Sequence, residues 1–514
     1  MSHAISEDEF YDLASSWGIS RSGAAGVLPA IAHMAPVIAA MDDLRADPPP
    51  VAEADRVVHD DTDASRDPYN AVVRWVSVRK PGARGLLSGV GVAVKDCVAV
   101  AGVPMTAGSA LLQGFVPDRD STVVRHLLDA GGHICAVTNM DEMGVAPGGD
   151  SSYYGPTLNP WDTTRTAGGS SGGSAAALYY DGVDVALGAD SGGSVRIPAA
   201  WCGLVGLKPT HGLVPHSGVL GGEPLLDHVG PLARTTADVA AVLQVLAGTD
   251  DEDPDPRQPA QLPRVDAVAA VESAPASLDD LRVGVLAEGL DPAGGVSPEV
   301  GRAFDTSLAQ LRELGASVEP VSVPEHRLCG PIAFNMFPES FAGQMRSGGA
   351  LFGAGGRYWP ELAEALRRGF EKAGDSMAPT LKLMLIMGSG AEREGGGSRY
   401  ARAANLRRLV TTGYEKALAE FDVLAMPTVP VVAHPVAPDL DPADRALRAW
   451  SLVGNTAPTN LTGHPAITLP LGLAEGLPAG VMLVGRKFAD TRLLTVAETL
   501  ERGVGWPRRP PENR

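Results

Sequence analysis

From about Asn70 onward, apolar residues fall into short continuous runs set between amphipathic stretches. VGVAV (Val90 to Val94) is one such run and reads as a buried strand. After Asp120, Val123, Val124, Leu127 and Leu128 recur at helical spacing up to Gly131, and ICAV follows as a second strand. The order returns later as LRVGVL, then a helix opened by Ser297 and Pro298 with Val300, Phe304, Leu308, Leu311 and Leu314 on one face, then SVEPVSV. Strand, helix, strand predicts α/β layering. VDVALGAD reads as a strand running into a glycine turn, NTAPTNLTGHPAITLPLG and LPAGVMLVGRKF as closing strands, and ADTRLLTVAETLE as a terminal helix. The region from about 326 to 397, with FNMF and the Met-rich KLMLIMGSG, reads as a helical covering layer and not as sheet core. There is no internal repeat.

Ahead of this pattern, residues 6 to 45 look helical, and the polar run DPPPVAEADRVVHDDTDASRDP follows as a linker. The chain therefore divides into an N-terminal helical extension with linker, 1–65, and a main domain, 66–514. TDDEDPDPRQPAQLP, near Thr249, reads as a surface loop. The start, MSHAISEDEFYD, is acidic where a secretory leader is basic, and AAGVLPAIAHMAPVIAA is broken by Pro29, His33 and Pro36 and is too short to span a bilayer. A soluble, cytoplasmic protein is expected. The charge, 42 − 61 = −19, offers no basic excess for nucleic acid or an anionic membrane, and favours neutral or cationic small molecules. Cys97, Cys135, Cys202 and Cys329 lie far apart with no C-x-x-C pair, so buried free thiols are expected, with neither disulfides nor zinc. No metal motif, haem motif or dinucleotide fingerprint appears, and no cofactor is expected.

The candidate chemistry lies in GGSSGGSAAALYYDGVDVALGADSGGSVR, from Gly168. A phosphate-binding P-loop is excluded because no lysine follows the glycines. GGSSG and GSSGG both match G-x-S-x-G, which would make Ser170 or Ser171 a nucleophile elbow. That elbow needs a strand directly before it, and LNPWDTTRTAGG reads as a turn. A flexible linker fits poorly between SAAALYY, a helix start, and a strand. A further reading brings in Lys95, which ends the apolar strand in GVGVAVKDC. A lysine acts as a base at neutral pH only when its pKa falls from about 10.4 toward ~7 to 8. A drop of about three units is roughly 4 kcal/mol of differential solvation, so such a lysine must be well enclosed.

With these stretches in hand, the chain resembles the amidase signature enzymes. The resemblance rests on GVAVKDC, AGGSSGGSAAA, ALGADSGGSVRIPAAWCGLVGLKPT and DHVGPLARTTAD, and extends from about Asn70 to Glu501 through NTAPTNLTGHPAITLPLG and LPAGVMLVG. It implies an α/β/α sandwich around a mixed, many-stranded sheet. It also implies a Ser-Ser-Lys triad with Ser194 as nucleophile, Ser170 as bridging serine after a cis peptide bond from Gly169, and Lys95 as base. A serine hydroxyl attacks only when a base takes its proton, and a neutral lysine can do so through an intervening hydroxyl. Ser191, Gly192 and Gly193 are the expected oxyanion hole, since a glycine turn lets backbone N–H groups approach a developing charge. Asp190 and Arg196 flank that turn and are expected to brace it, with Ser171 hydrogen-bonding inside the site. Ser174 is placed in the first turn of the next helix, and the pair Asp227-His228 in DHVGP is expected to brace the active-site loop. His211, His216 and His228 have no accompanying motif as triad histidines and are read as hydrogen-bonding or packing residues.

Within that family the extension, GPTLNPW and NTAPTNLTGHPAITLPLG are most similar to stand-alone bacterial amidases acting on small aliphatic and aromatic amides, including those linked to nitrile degradation. The implied reaction is a carboxamide plus water giving a carboxylate and ammonia, with hydrazides and carbamates open by the same chemistry. Val145, Pro147, Leu226, Phe334 and Phe337 are candidates for the acyl pocket. Ser191, and Val145 where an aromatic residue often stands, depart from several nitrile-linked relatives. The rival readings are the glutamine-hydrolysing subunit of a tRNA amidotransferase and a silent binding protein on an amidase scaffold. A small-molecule amide is the expected partner, together with a second copy of the chain in a homodimer packed through the N-terminal helices.

Overall fold

The computed structural model describes residues 6–40, 51–59, 64–249, 258–291, 295–349 and 358–506. The chain forms two compact units, Met1–Pro49 and Pro50–Arg514. The first holds helices Glu7–Ser16, Arg21–Ala25 and Leu28–Ala39. A capping box opens the first of these: Glu9 N–H donates to Ser6 Oγ while Ser6 N–H donates to the Glu9 carboxylate. Phe10, Ala14 and Ala24 form its small buried cluster, and Leu13, Trp17, Ile19, Val27 and Met34 are exposed.

The second unit is built on a mixed sheet of twelve strands among the described residues. In spatial order these are β1 (Asp55–Val58), β2 (Val72–Arg79), β4 (His133–Thr138), β3 (Gly91–Lys95), β7 (Val185–Asp190), β9 (His228–Ala233), β8 (Val205–Lys208), β13 (Ala466–Ala474), β14 (Leu477–Val484), β12 (Val423–Pro427), β10 (Arg282–Leu286) and β11 (Ser317–Val321). β3 runs parallel to β4 and β7, and β10 parallel to β11 and β12; the other neighbours are antiparallel. The unbroken apolar run of β3 fits its central place, because a strand covered on both faces has no solvent side to keep polar. Helix Thr122–Asp129, capped by Ser121 Oγ, buries Val123, Val124, Leu127 and Leu128, and helix Pro298–Glu313, capped by Ser297, buries Val300, Phe304, Leu308 and Leu311. Both helices therefore stand where their apolar spacing predicts. Helices Cys329–Arg346, Pro360–Ala373 and Pro379–Gly395 lie between residues 326 and 397.

Three expectations change. The stretch read as linker contains β1, a four-residue strand that pairs antiparallel with β2 at the sheet edge. LNPWDTTRT is not a plain turn but a two-stranded hairpin of β5 (Leu158–Asn159) and β6 (Asp162–Thr166), separate from the main sheet. NTAPTNLTG is helix and not strand: Ala457–Thr462 forms a helix with Pro458 in its first turn and Gly463 in the left-handed C-cap conformation, and β13 begins only at Ala466. Most of the predicted loop near Thr249 lies outside the described residues.

Candidate active site

Lys95 is the last residue of β3, and its position at the end of a fully buried strand carries its side chain into the interior. Its Nζ donates to Ser170 Oγ at 2.8 Å and to the Ala189 carbonyl at 3.3 Å. Burial pushes the Lys95 ammonium below its ordinary pKa, against the opposing pull of Cys97, Asp141, Asp190 and Asp227. A second lysine, Lys208, is equally buried, but it donates to the Pro209 carbonyl and faces His228 Nε2, and among the described residues it has no hydrogen bond to a serine.

Ser170 sits on the loop after β6, and the Gly169–Ser170 peptide bond is cis. Gly169 is required by its neighbour: a Cβ there would run into Asp141 Oδ2 and stand 3.0 Å from the Gly149 nitrogen. Asp141, for which the sequence offers no motif, accepts from Gly149 N–H at 2.8 Å, Ser151 N–H at 2.9 Å and Ser151 Oγ at 2.6 Å. Burial, with Asp150 nearby, pushes its carboxyl up to about 6. Ser171 N–H donates to the Ser194 carbonyl at 3.2 Å and Ser171 Oγ to the Ala189 carbonyl at 3.3 Å, so this serine stitches the two Gly/Ser clusters together. Ser174 lies in the first turn of helix Gly172–Ala177, donates to the Leu187 carbonyl and shares a 2.8 Å hydrogen bond with Thr138 Oγ1.

Ser194 stands in the turn between β7 and helix Arg196–Cys202. Among the described residues no hydrogen bond links its Oγ to Ser170, so the chain of contacts from Lys95 stops at Ser170. The turn is braced by a fully buried ion pair. Arg196 donates through Nε and Nη2 to the two oxygens of Asp190 at 3.0 and 2.9 Å, and reaches Thr456 O, Thr459 Oγ1 and Asn460 Oδ1. Burial alone raises the Asp190 pKa, but the Arg196 charge and the hydrogen bonds from Arg196 and Asn460 outweigh it and hold the carboxylate far below its usual range.

Asp190 Oδ1 also takes the Gly193 N–H at 2.7 Å, and Oδ2 the Val195 N–H at 3.1 Å. This alters the expected oxyanion hole. The Gly193 amide is committed to the brace, and its glycine identity serves shape instead: φ is +133°, and a Cβ would overlap the Thr456 side chain. Among the described residues the amides of Ser191 and Gly192 donate no hydrogen bond, while Thr456 Oγ1 fixes the Gly192 carbonyl at 2.6 Å.

Ser191, Gly192 and Ser194 open on a cavity walled mainly by apolar side chains. Val145, Pro147, Leu226, Phe334 and Phe337 all line it, joined by Met384, Trp450, Val453, Ala457 and Leu461, and no described lining residue is charged. Trp450 packs edge-on against Phe334 at 5.6 Å and donates its indole N–H to the Val145 carbonyl at 3.2 Å. None of the described histidines lines the cavity; His228 pairs with the Leu226 carbonyl at 2.7 Å and His211 with the Pro224 carbonyl at 2.9 Å. Asp227 accepts from Ser191 Oγ, and burial pushes its carboxyl up to about 7 against the pull of that bond. Among the described residues no group of three or more His, Cys, Asp or Glu could hold a metal ion, and no helix is long and apolar enough to cross a membrane.

The family model described as Amidase matches residues 71–494, which take in every residue named above around the cavity. The chain belongs to the Amidase family. It is 40% identical over 435 residues to an enantioselective amidase of Rhodococcus rhodochrous, covering 83% of this chain and 82% of that protein. It is 39% identical over 429 residues to a Glutamyl-tRNA(Gln) amidotransferase subunit of Halobacterium salinarum, covering 82% of this chain and 96% of that one. Its fold matches the native peptide amidase from Stenotrophomonas maltophilia with a TM-score of 0.68 at 30% identity, over 84% of this chain and 86% of that structure. The mixed, helix-flanked sheet is the fold of this family, and the enzyme is an amide hydrolase.

Proposed function

We propose that the enzyme hydrolyses neutral carboxamides with an aliphatic or aromatic acyl group, giving the carboxylate and ammonia through an acyl-enzyme on Ser194. The observation that carries this reading is that no described residue lining the cavity on which Ser194 opens is charged. Glutamine would bring an α-ammonium and an α-carboxylate, and unpaired ions taken out of water cost several kcal/mol each. Phe334, Phe337 and Trp450 instead offer apolar surface for an uncharged acyl group.

In this reading neutral Lys95 takes a proton from Ser170, which takes one from Ser194 as its Oγ bonds to the carbonyl carbon. The link between the two serine hydroxyls closes as substrate fills the cavity. The Ser191 and Gly192 amides receive the charge that forms on the carbonyl oxygen. The tetrahedral species collapses with cleavage of the C–N bond, and the relay returns its proton to the departing nitrogen. Water then adds to the ester with the same relay as base, freeing the carboxylate and Ser194.

Assay of the purified chain alone on benzamide, propionamide and glutamine tests the substrate class. The neutral amides are expected to exceed glutamine in kcat/KM by at least about a hundredfold. Preference for glutamine, or activity that needs partner subunits, overturns the reading. A cytoplasmic homodimer completes the proposal. All four cysteines are buried free thiols, which suits a reducing compartment, and Leu13 and Met34 on the N-terminal helices, with Trp17, Ile19 and Val27 in the turns between them, offer exposed apolar side chains. Light scattering is expected to give the mass of a dimer; a monomer mass overturns that part.

A further inference from the structure

The turn carrying Ser191, Gly192 and Gly193 is held by groups outside the Lys95, Ser170 and Ser194 set. Asp190 takes the Gly193 amide, Thr456 fixes the Gly192 carbonyl, and Ser191 Oγ donates to Asp227 Oδ1. The last contact follows from sheet register. Asp190 pairs with His228 across β7 and β9, so Ser191 and Asp227 are the next residues beyond the end of that ladder. Asp227 is buried, and its Oδ2 accepts from Gly222 N–H and Glu223 N–H at 2.9 Å each, so tightly that a Cβ on Gly221 would run into it. Leu226, the preceding residue, is part of the cavity wall. One carboxylate thus holds the oxyanion turn with one oxygen and the pocket-wall loop with the other.

We propose that Asp227, acting through the Ser191 hydroxyl, is a positioning residue that fixes the Ser191 amide toward the developing oxyanion and ties it to the loop carrying Leu226. This rests on the reading of Ser194 as nucleophile. An oxyanion donor is effective because it is already aimed when charge develops, and its value falls if the peptide plane can rotate. Ser191 is followed by two glycines, which supply no side chains to restrain the turn. Its hydroxyl is committed to Asp227, which leaves the amide as its donor to the cavity.

The test is steady-state kinetics on an aryl amide for Ser191→Ala, Ser191→Thr, Asp227→Asn and the Ser191→Ala/Asp227→Asn double variant. Ser191→Ala and Asp227→Asn are each expected to lower kcat about tenfold with KM changed by no more than about twofold, the mark of an interaction made in the transition state. Ser191→Thr, which keeps the hydroxyl, regains activity to within about threefold of the parent. The double variant is expected to be no more than about threefold below the weaker single one, because both changes break the same contact. An unaltered kcat in Ser191→Ala, or losses that multiply in the double variant, overturns the proposal. Should Asp227→Asn fail to fold, the two Ser191 variants decide alone, since they leave the Gly222 and Glu223 contacts in place. Ser194→Ala separates the two levels: an active Ser194→Ala sinks the nucleophile reading itself, whereas an inactive one beside a normal Ser191→Ala sinks only the role of Asp227.

Discussion

Ser194→Ala is expected to abolish amide turnover, lowering kcat by at least about 10⁴-fold, while the protein stays folded. The two halves of that expectation have separate physical grounds. Ser194 Oγ forms no hydrogen bond with the Lys95–Ser170 pair in the resting enzyme, so its removal breaks no contact between them. Asp190 and Arg196 hold the turn through the backbone of Gly193 and Val195, which the substitution leaves intact. A thermal midpoint within a few degrees of the parent is expected, as for a change that creates neither a large cavity nor an unpaired polar group. Catalysis, by contrast, loses the atom that bonds to the carbonyl carbon. Mass spectrometry of the parent quenched during turnover of a slow aryl amide should detect an acyl adduct that Ser194→Ala lacks. Turnover by a clean Ser194→Ala preparation refutes the assignment.

The parts of the site legible in the sequence are those that local chain geometry creates. Lys95 ends an apolar run, so β3 and the buried lysine follow from the same five residues. Ser170 and Ser194 each sit in a Gly/Ser cluster beside a helix or strand start, and the spacing of those elements brings them near one another. The clamps are different in kind. Thr456, Asn460 and Trp450 come from a segment more than 250 residues along the chain, and they reach the site because β13 pairs with β8 in the sheet, which no local pattern encodes. The helix that carries Thr459 and Asn460 has local signals, Pro458 at its start and Gly463 at its end, but its Thr and Asn content resembles a strand followed by a turn. The role of Gly193 is hidden for another reason. Its amide and Asp190 are three residues apart, and only the fold decides whether that N–H faces the carboxylate or the cavity.

Lys95 offers the second large effect, and its sign follows from burial. Because burial lowers its pKa, a greater share of Lys95 is neutral near pH 7 than of an exposed lysine, and only the neutral form can accept the Ser170 proton. Activity on a neutral amide should therefore rise from pH 6 to 9 as Lys95 loses its proton, and a flat profile over that range counts against it as the base. Lys95→Met should lower kcat/KM at pH 7 by about 10³-fold or more, since the relay from Ser170 then has no acceptor. Stability gives an independent check on the same residue. Between the lowered pKa of folded Lys95 and the ordinary value of about 10.4, the unfolded chain binds a proton that the folded one does not, so this lysine favours folding less as pH falls through that window. Methionine carries no such term. The stability of Lys95→Met relative to the parent should thus decline as pH rises toward the top of that window, whatever its offset from altered packing. A stability difference that is independent of pH, measured by denaturant unfolding, would place an ordinary lysine at this position and remove the physical basis for its role as base.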